Sequence, residues 1–83
     1  MNIRYAATAL EQLEELSVAV RQRIVEKMYF YRTQDDPLAF GKRLSGYNVW
    51  RFRVGNYRVL CEVHNDTLSV VLIARRDEAY KDL

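Results

Sequence analysis

The sequence predicts an α+β fold: an N-terminal strand, a helical hairpin, then a three-stranded antiparallel meander, with the two helices packed on one face of the sheet. Three observations carry this reading. Residues 49–61, V-W-R-F-R-V-G-N-Y-R-V-L-C, alternate with period two on either side of Gly55-Asn56, the pattern of two half-buried strands joined by a tight turn. A second alternating pair follows, turned by Asn65-Asp66 and returning through Leu68, Val70, Leu72 and Ala74. Upstream, apolar residues recur at helical spacing from Ala9 to Tyr31.

In chain order, Ile3, Arg4 and Tyr5 alternate and predict a short strand at a sheet edge. Thr8 followed by Glu11 fits a capping box, opening a first helix from about Ala9 to Leu16 along Leu10, Leu13 and Leu16. Ser17 caps a second helix, with Val20, Ile24, Met28 and Tyr31 on one stripe and Arg21, Arg23, Glu26 and Lys27 mostly off it. That helix stops before Asp35-Asp36-Pro37, because proline disfavours helix in the residue preceding it. Residues 38–48, with Gly41, Ser45 and Gly46, read as an irregular connection bearing Lys42 and Arg43. The tail, 77–83, reads as one irregular or helical turn. A single domain covers 1–83.

A two-residue turn at Gly55-Asn56, both tolerant of positive φ, fixes the pairing arithmetically: Val54 opposes Tyr57, Arg53 opposes Arg58, Phe52 opposes Val59 and Arg51 opposes Leu60. Carrying parity through both turns puts Trp50, Phe52, Val54, Tyr57, Val59, Cys61, Val63, Leu68, Val70 and Leu72 against the helices. Arg51, Arg53, Arg58, Leu60, Val71 and Ile73 fall on the other face, where unbroken alternation adds Arg75 beside Arg58 and leaves Arg76 off it. Like charges directly opposite on neighbouring strands cost a few tenths of a kcal/mol to about 1 kcal/mol, so three arginines on one face predict an anionic ligand.

The charge distribution says the same. Net charge is only +2, yet from Pro37 to Cys61 there are five basic residues (Lys42, Arg43, Arg51, Arg53, Arg58) and no acid. Ordinary solvated faces mix signs. With 49% apolar and 29% charged residues the chain reads as globular, of a size expected to bury about 60–65% of its unfolded surface. One cysteine, Cys61, excludes a disulfide framework, and with one histidine neither a metal nor another cofactor is expected. The N-terminus lacks the apolar run of a signal peptide, and the longest purely apolar run, Val70 to Ala74, cannot span a bilayer, so a cytoplasmic protein is expected.

No serine–histidine–acid grouping, glycine-rich phosphate loop or cysteine–histidine pair is present. Asp35-Asp36 read as turn residues, His64 as a surface residue, and Trp50 and Phe52 as core. Tyr80, close behind Arg75 and Arg76, could stack on a base or move a proton, or could simply anchor the tail. Clustered guanidinium groups with a nearby phenol suit RNA phosphodiester transfer, in which the substrate's 2′-hydroxyl attacks and the protein aligns the phosphate and stabilises the pentacoordinate state. Arginine is a poor base at a pKa above about 12. Proton abstraction is left to Tyr80, to Lys42 or Lys81, to the substrate or to water.

The run K-R-L-S-G-Y-N-V-W-R-F-R-V-G-N-Y-R-V-L-C-E-V and the tail R-R-D-E-A-Y-K-D-L resemble the RelE/ParE superfamily of toxins from type II toxin-antitoxin systems. The resemblance spans nearly the whole chain and implies a curved sheet under two helices. For the RelE branch it implies cleavage of messenger RNA in the ribosomal A site, hence inhibition of translation, with ribosome, mRNA and a cognate antitoxin as partners. Residue by residue it implies catalytic roles for Arg51, Arg53, Arg58, a tail arginine and Tyr80; the tail arginine could match Arg75 or Arg76, and parity favours Arg75. RNA contacts are expected from the remaining basic residues Lys42, Arg43, Arg76 and Lys81. RelE carries lysines where Arg51 and Arg53 stand, and its tail is a few residues longer, which leaves open both the general base and the choice between Arg75 and Arg76. The ParE branch shares the fold but acts on DNA gyrase. A silent RNA- or antitoxin-binding module is the third reading.

Overall fold

The computed structural model describes residues 1–44 and 48–75. Its elements are β1 (Asn2–Tyr5), α1 (Ala7–Glu15), α2 (Val18–Arg32), a 3-10 turn (Pro37–Phe40), β2 (Lys42–Arg43), β3 (Val49–Val54), β4 (Tyr57–His64) and β5 (Thr67–Arg75). The five strands form one sheet in the order β1-β5-β4-β3-β2. β1 runs parallel to β5 at one edge, and the other pairings are antiparallel. The fold is α+β as predicted, with one strand more: Lys42 and Arg43, read above as irregular, pair with Arg51 and Trp50. Two residues are too few to show alternation.

Both helices lie on one face, α1 over β5 and α2 over β1, β3 and the 3-10 turn. Between them sits the core of Ala9, Leu13, Ile24, Met28, Tyr31, Phe52, Val54, Val59, Cys61, Leu68, Val70 and Ile73. Helix α1 starts two residues before its predicted position, and the Thr8–Glu11 capping box does not form: Ala6 is the N-cap, with no side-chain cap. The cause is long-range. The Ala6 N–H donates to the Val70 carbonyl at 2.9 Å and its own carbonyl accepts from Leu10, so the chain leaves β1 directly into helix. The buried stripe is Ala9 and Leu13 with Leu16 beside them, while Leu10 remains 47% exposed.

Helix α2 follows the sequence closely. Ser17 Oγ accepts from the Val20 N–H at 3.3 Å, and Ile24, Met28 and Tyr31 are buried. The exposed geometry makes this a modest cap, and Ser17→Ala is expected to cost about 0.5–1 kcal/mol in a urea titration. At the other end the Met1 ammonium donates to the Arg32 carbonyl (3.2 Å) and the Arg32 guanidinium to the Met1 carbonyl (3.1 Å), tying the start of β1 to the end of α2.

The β3–β4 register is the predicted one, with Val54 opposite Tyr57, Arg53 opposite Arg58, Phe52 opposite Val59 and Arg51 opposite Leu60. At the turn only Gly55 takes positive φ (59°); Asn56 does not. The β4–β5 turn at Asn65-Asp66 also forms, and pairing runs as predicted from His64–Thr67 to Cys61–Val70. There it shifts. Leu60 opposes Leu72, not Val71, leaving Val71 as the extra residue of a β-bulge. Beyond it parity inverts: Ile73 is in the core opposite Val59, Leu72 is on the open face, and Arg75, predicted beside Arg58, stands opposite Tyr57 on the helix side.

Burial pushes the Cys61 thiol up to about 12, and burial plus the neighbouring Cys61 raises the Tyr5 phenol to about 12. Above their ordinary values of 9 and 10 the folded state therefore holds protons that the unfolded chain releases. Folding stability is expected to fall progressively as pH rises from 9 towards 12, measurable by denaturation at stepped pH. Cys61 should resist thiol reagents at neutral pH until the chain unfolds.

Candidate anion-binding face

The face away from the helices is organised by the β3–β4 hairpin. Trp50, Phe52 and Val54 turn to the helices, so Arg51 and Arg53 must turn away. Arg58 stands across from Arg53 on one side and Ala74 on the other, and Lys42 stands across from Arg51. Four cations from three adjacent strands thus share one surface, with Leu60 and Leu72 paired beside them. The Tyr31 hydroxyl donates to the Arg53 carbonyl at 3.3 Å, anchoring β3 at Arg53 to α2.

Arg58 is the exceptional member. It is only 6% exposed, and its Nε and Nη1 are shut off from solvent with no hydrogen-bond partner among the described residues. Leaving Nε and Nη1 of a buried guanidinium without acceptors is unfavourable by about 1–3 kcal/mol or more, and the Arg53 charge opposite adds repulsion. The nearest acid on this face along β4 is Glu62, four residues away or about 13 Å at strand rise, and it lies 3.5 Å from the exposed His64.

Of the other sequence candidates, Arg43 pairs with Trp50 and so belongs to the helix-side face of β2, apart from Lys42. Arg75 is likewise away from the cluster. Arg76, Tyr80 and Lys81 lie outside the described residues. Ala74 was missed: the run V-V-L-I-A is apolar on both parities, so nothing local marks the bulge that moves it beside Arg58. Among the described residues no cluster of histidine, cysteine, aspartate and glutamate could hold a metal ion. No helix there is long and apolar enough to cross a membrane.

A five-stranded sheet with two helices on one face and clustered arginines on the other is an α+β architecture with one strongly basic face. The family model for the ParE toxin of type II toxin-antitoxin system, parDE, matches residues 3–80. Toxin RelE3 of Methanocaldococcus jannaschii is 31% identical over 84 residues, covering 96% of each chain. A chain of the RelB-RelE antitoxin-toxin complex from Methanococcus jannaschii superimposes with a TM-score of 0.70 at 29% identity, covering 95% of this chain and 96% of that one. A chain of the toxin-antitoxin complex RelBE2 from Mycobacterium tuberculosis gives 0.75 at 25% identity, covering 90% and 96%. The chain belongs to the RelE/ParE family of toxins of type II toxin-antitoxin systems.

Proposed function

We propose that this toxin is a cytoplasmic, ribosome-dependent mRNA endoribonuclease held in check by an antitoxin. The observation that carries the reading is the buried Arg58 guanidinium, unpartnered at Nε and Nη1 among the described residues and flanked by Arg51, Arg53 and Lys42. In this proposal the scissile phosphate sits against Arg58, with Arg51 and Arg53 on its other oxygens. The 2′-hydroxyl of the preceding ribose attacks phosphorus, the 5′-oxygen leaves, and the guanidinium groups stabilise the additional negative charge between these events. Tyr80, Lys42 or Lys81 moves the protons, and Arg43 and Lys81 contact flanking RNA. With Arg75 on the Tyr57 side, the parity argument for it as the tail arginine no longer holds, and the proposal gives that role to Arg76.

Primer extension on a translated message tests this. Cuts at codon-spaced positions that require ribosomes and disappear in Arg58→Ala and Tyr80→Phe are expected; intact RNA would remove the nuclease reading. The match to the ParE family model supports a second reading, inhibition of DNA gyrase. A supercoiling assay decides between them. In either case an antitoxin with an acidic or amphipathic segment is the proposed partner, as in the RelB-RelE complexes that the chain resembles, and saturating antitoxin is expected to abolish activity. Four cations on one face predict a slope of about −3 for log affinity of single-stranded RNA against log salt. Affinity indifferent to salt would contradict a phosphate grip.

A further inference from the structure

We infer that Gln12 is a positioning residue that selects the register of β5 and thereby keeps Ala74, and not Ile73, across from Arg58. Strand β1 covers β5 only as far as Val70, whose carbonyl accepts from the Ala6 N–H. Past that point the outer edge of β5 has no neighbouring strand among the described residues. The side chain of Gln12, from α1 above, supplies the next bond: its Oε1 accepts from the Ile73 N–H at 2.7 Å, across 61 positions of chain.

Backbone polar groups of a regular strand point to alternate edges, so positions two apart share an edge and positions three apart do not. Val70 and Ile73 both offer backbone groups outward, and they are three apart. The bulge residue Val71 between them reconciles the two. Without it Leu60 would oppose Val71, Val59 would oppose Leu72 and Arg58 would oppose Ile73, and the Ile73 N–H would point into the β4 ladder out of reach of Gln12. The Gln12 bond is therefore compatible with the bulged register alone.

Hydrophobicity does little to choose between these registers. The slip exchanges Ile73 for Leu72 in the core, a nearly volume-conserving swap, because the run from Val70 to Ala74 is apolar throughout. The consequence for the open face is large. In the bulged register the smallest side chain of that run faces the Arg58 guanidinium; in the slipped one the branched Ile73 would occupy that space. On the reading of this face as a phosphate site, Gln12 keeps the approach to Arg58 open from the opposite side of the sheet.

The test is the cross-strand Hα–Hα contact of Val59 by nuclear magnetic resonance, since non-hydrogen-bonded antiparallel pairs bring these protons together. The native chain is expected to show Val59–Ile73. Gln12→Leu should replace it with Val59–Leu72, whereas Gln12→Glu, which retains the acceptor, should keep it. Inorganic phosphate affinity should fall about tenfold in Gln12→Leu and stay near native in Gln12→Glu. Deleting Val71 makes simple alternation put Ala74 opposite Arg58, so in that background Gln12→Leu should change neither readout. An undiminished Val59–Ile73 contact in Gln12→Leu overturns the inference. So does failure of the deletion to rescue a Gln12→Leu chain that does not fold. Absence of phosphate binding by the native chain would instead remove the phosphate reading, leaving the register contact to be judged by itself.

Discussion

Arg58→Ala is expected to leave the protein at least as stable as the parent while reducing RNA cleavage by about two to three orders of magnitude, the usual effect of deleting one donor from a preorganised anion site. The two halves of this result have one cause. In the free protein the Arg58 guanidinium is buried, lacks acceptors at Nε and Nη1 among the described residues, and faces Arg53 across the ladder. Removing it relieves a desolvated charge, offsetting the packing lost with its methylene stem. Thermal unfolding and primer extension on the same preparation check both halves. A large drop in the melting temperature would mean that the side chain acts chiefly as a structural tie.

Phe52→Ala is expected to do the reverse, costing about 3–5 kcal/mol in urea denaturation and taking activity with it. Phe52 is fully buried on β3 between the two arginines of that strand, with its ring centroid 5.3 Å from that of Tyr31. Its ring fills the space above Gly41, where an added Cβ would come within 2.9 Å of it. Against a total stability of about 5–15 kcal/mol for a domain, such a loss leaves a substantial unfolded fraction at physiological temperature. Circular dichroism would show it. Comparing the two variants separates a residue that holds the face in place from one proposed to act on the ligand.

How far the fold could be read from the sequence depended on contrast between neighbouring residues. In β3 arginine alternates with tryptophan, phenylalanine and valine, so only one register puts the charges out, and the Gly55-Asn56 turn pinned the pairing down to individual residues. In β5 the same rule failed from Val71 onward, because both faces of an apolar run look equally acceptable and the deciding bond comes from Gln12 in another element. The Thr8–Glu11 motif failed for a similar reason: a hydrogen bond from Ala6 to distant Val70 set the helix start. The grouping of Arg51, Arg53 and Arg58 was legible, whereas Lys42 joins them, and Arg43 does not, only through a two-residue strand too short to announce itself.

The parallel pairing of β1 with β5 makes the chain's first strand wait for its last. Residues 2–5 can take their place only after residues 67–70 exist, although α1 and α2, which follow β1 directly, can form earlier from local bonds. At a synthesis rate of about 5–20 residues per second, β1 stays without its partner for several seconds or more. A chain interrupted anywhere before β5 would lack the central connection of its sheet, since β5 alone joins β1 to the meander. The β2–β4 part of the sheet, which carries Lys42, Arg51, Arg53 and Arg58, can close on its own hairpin, whereas β1 and its packing against α2 must wait for β5.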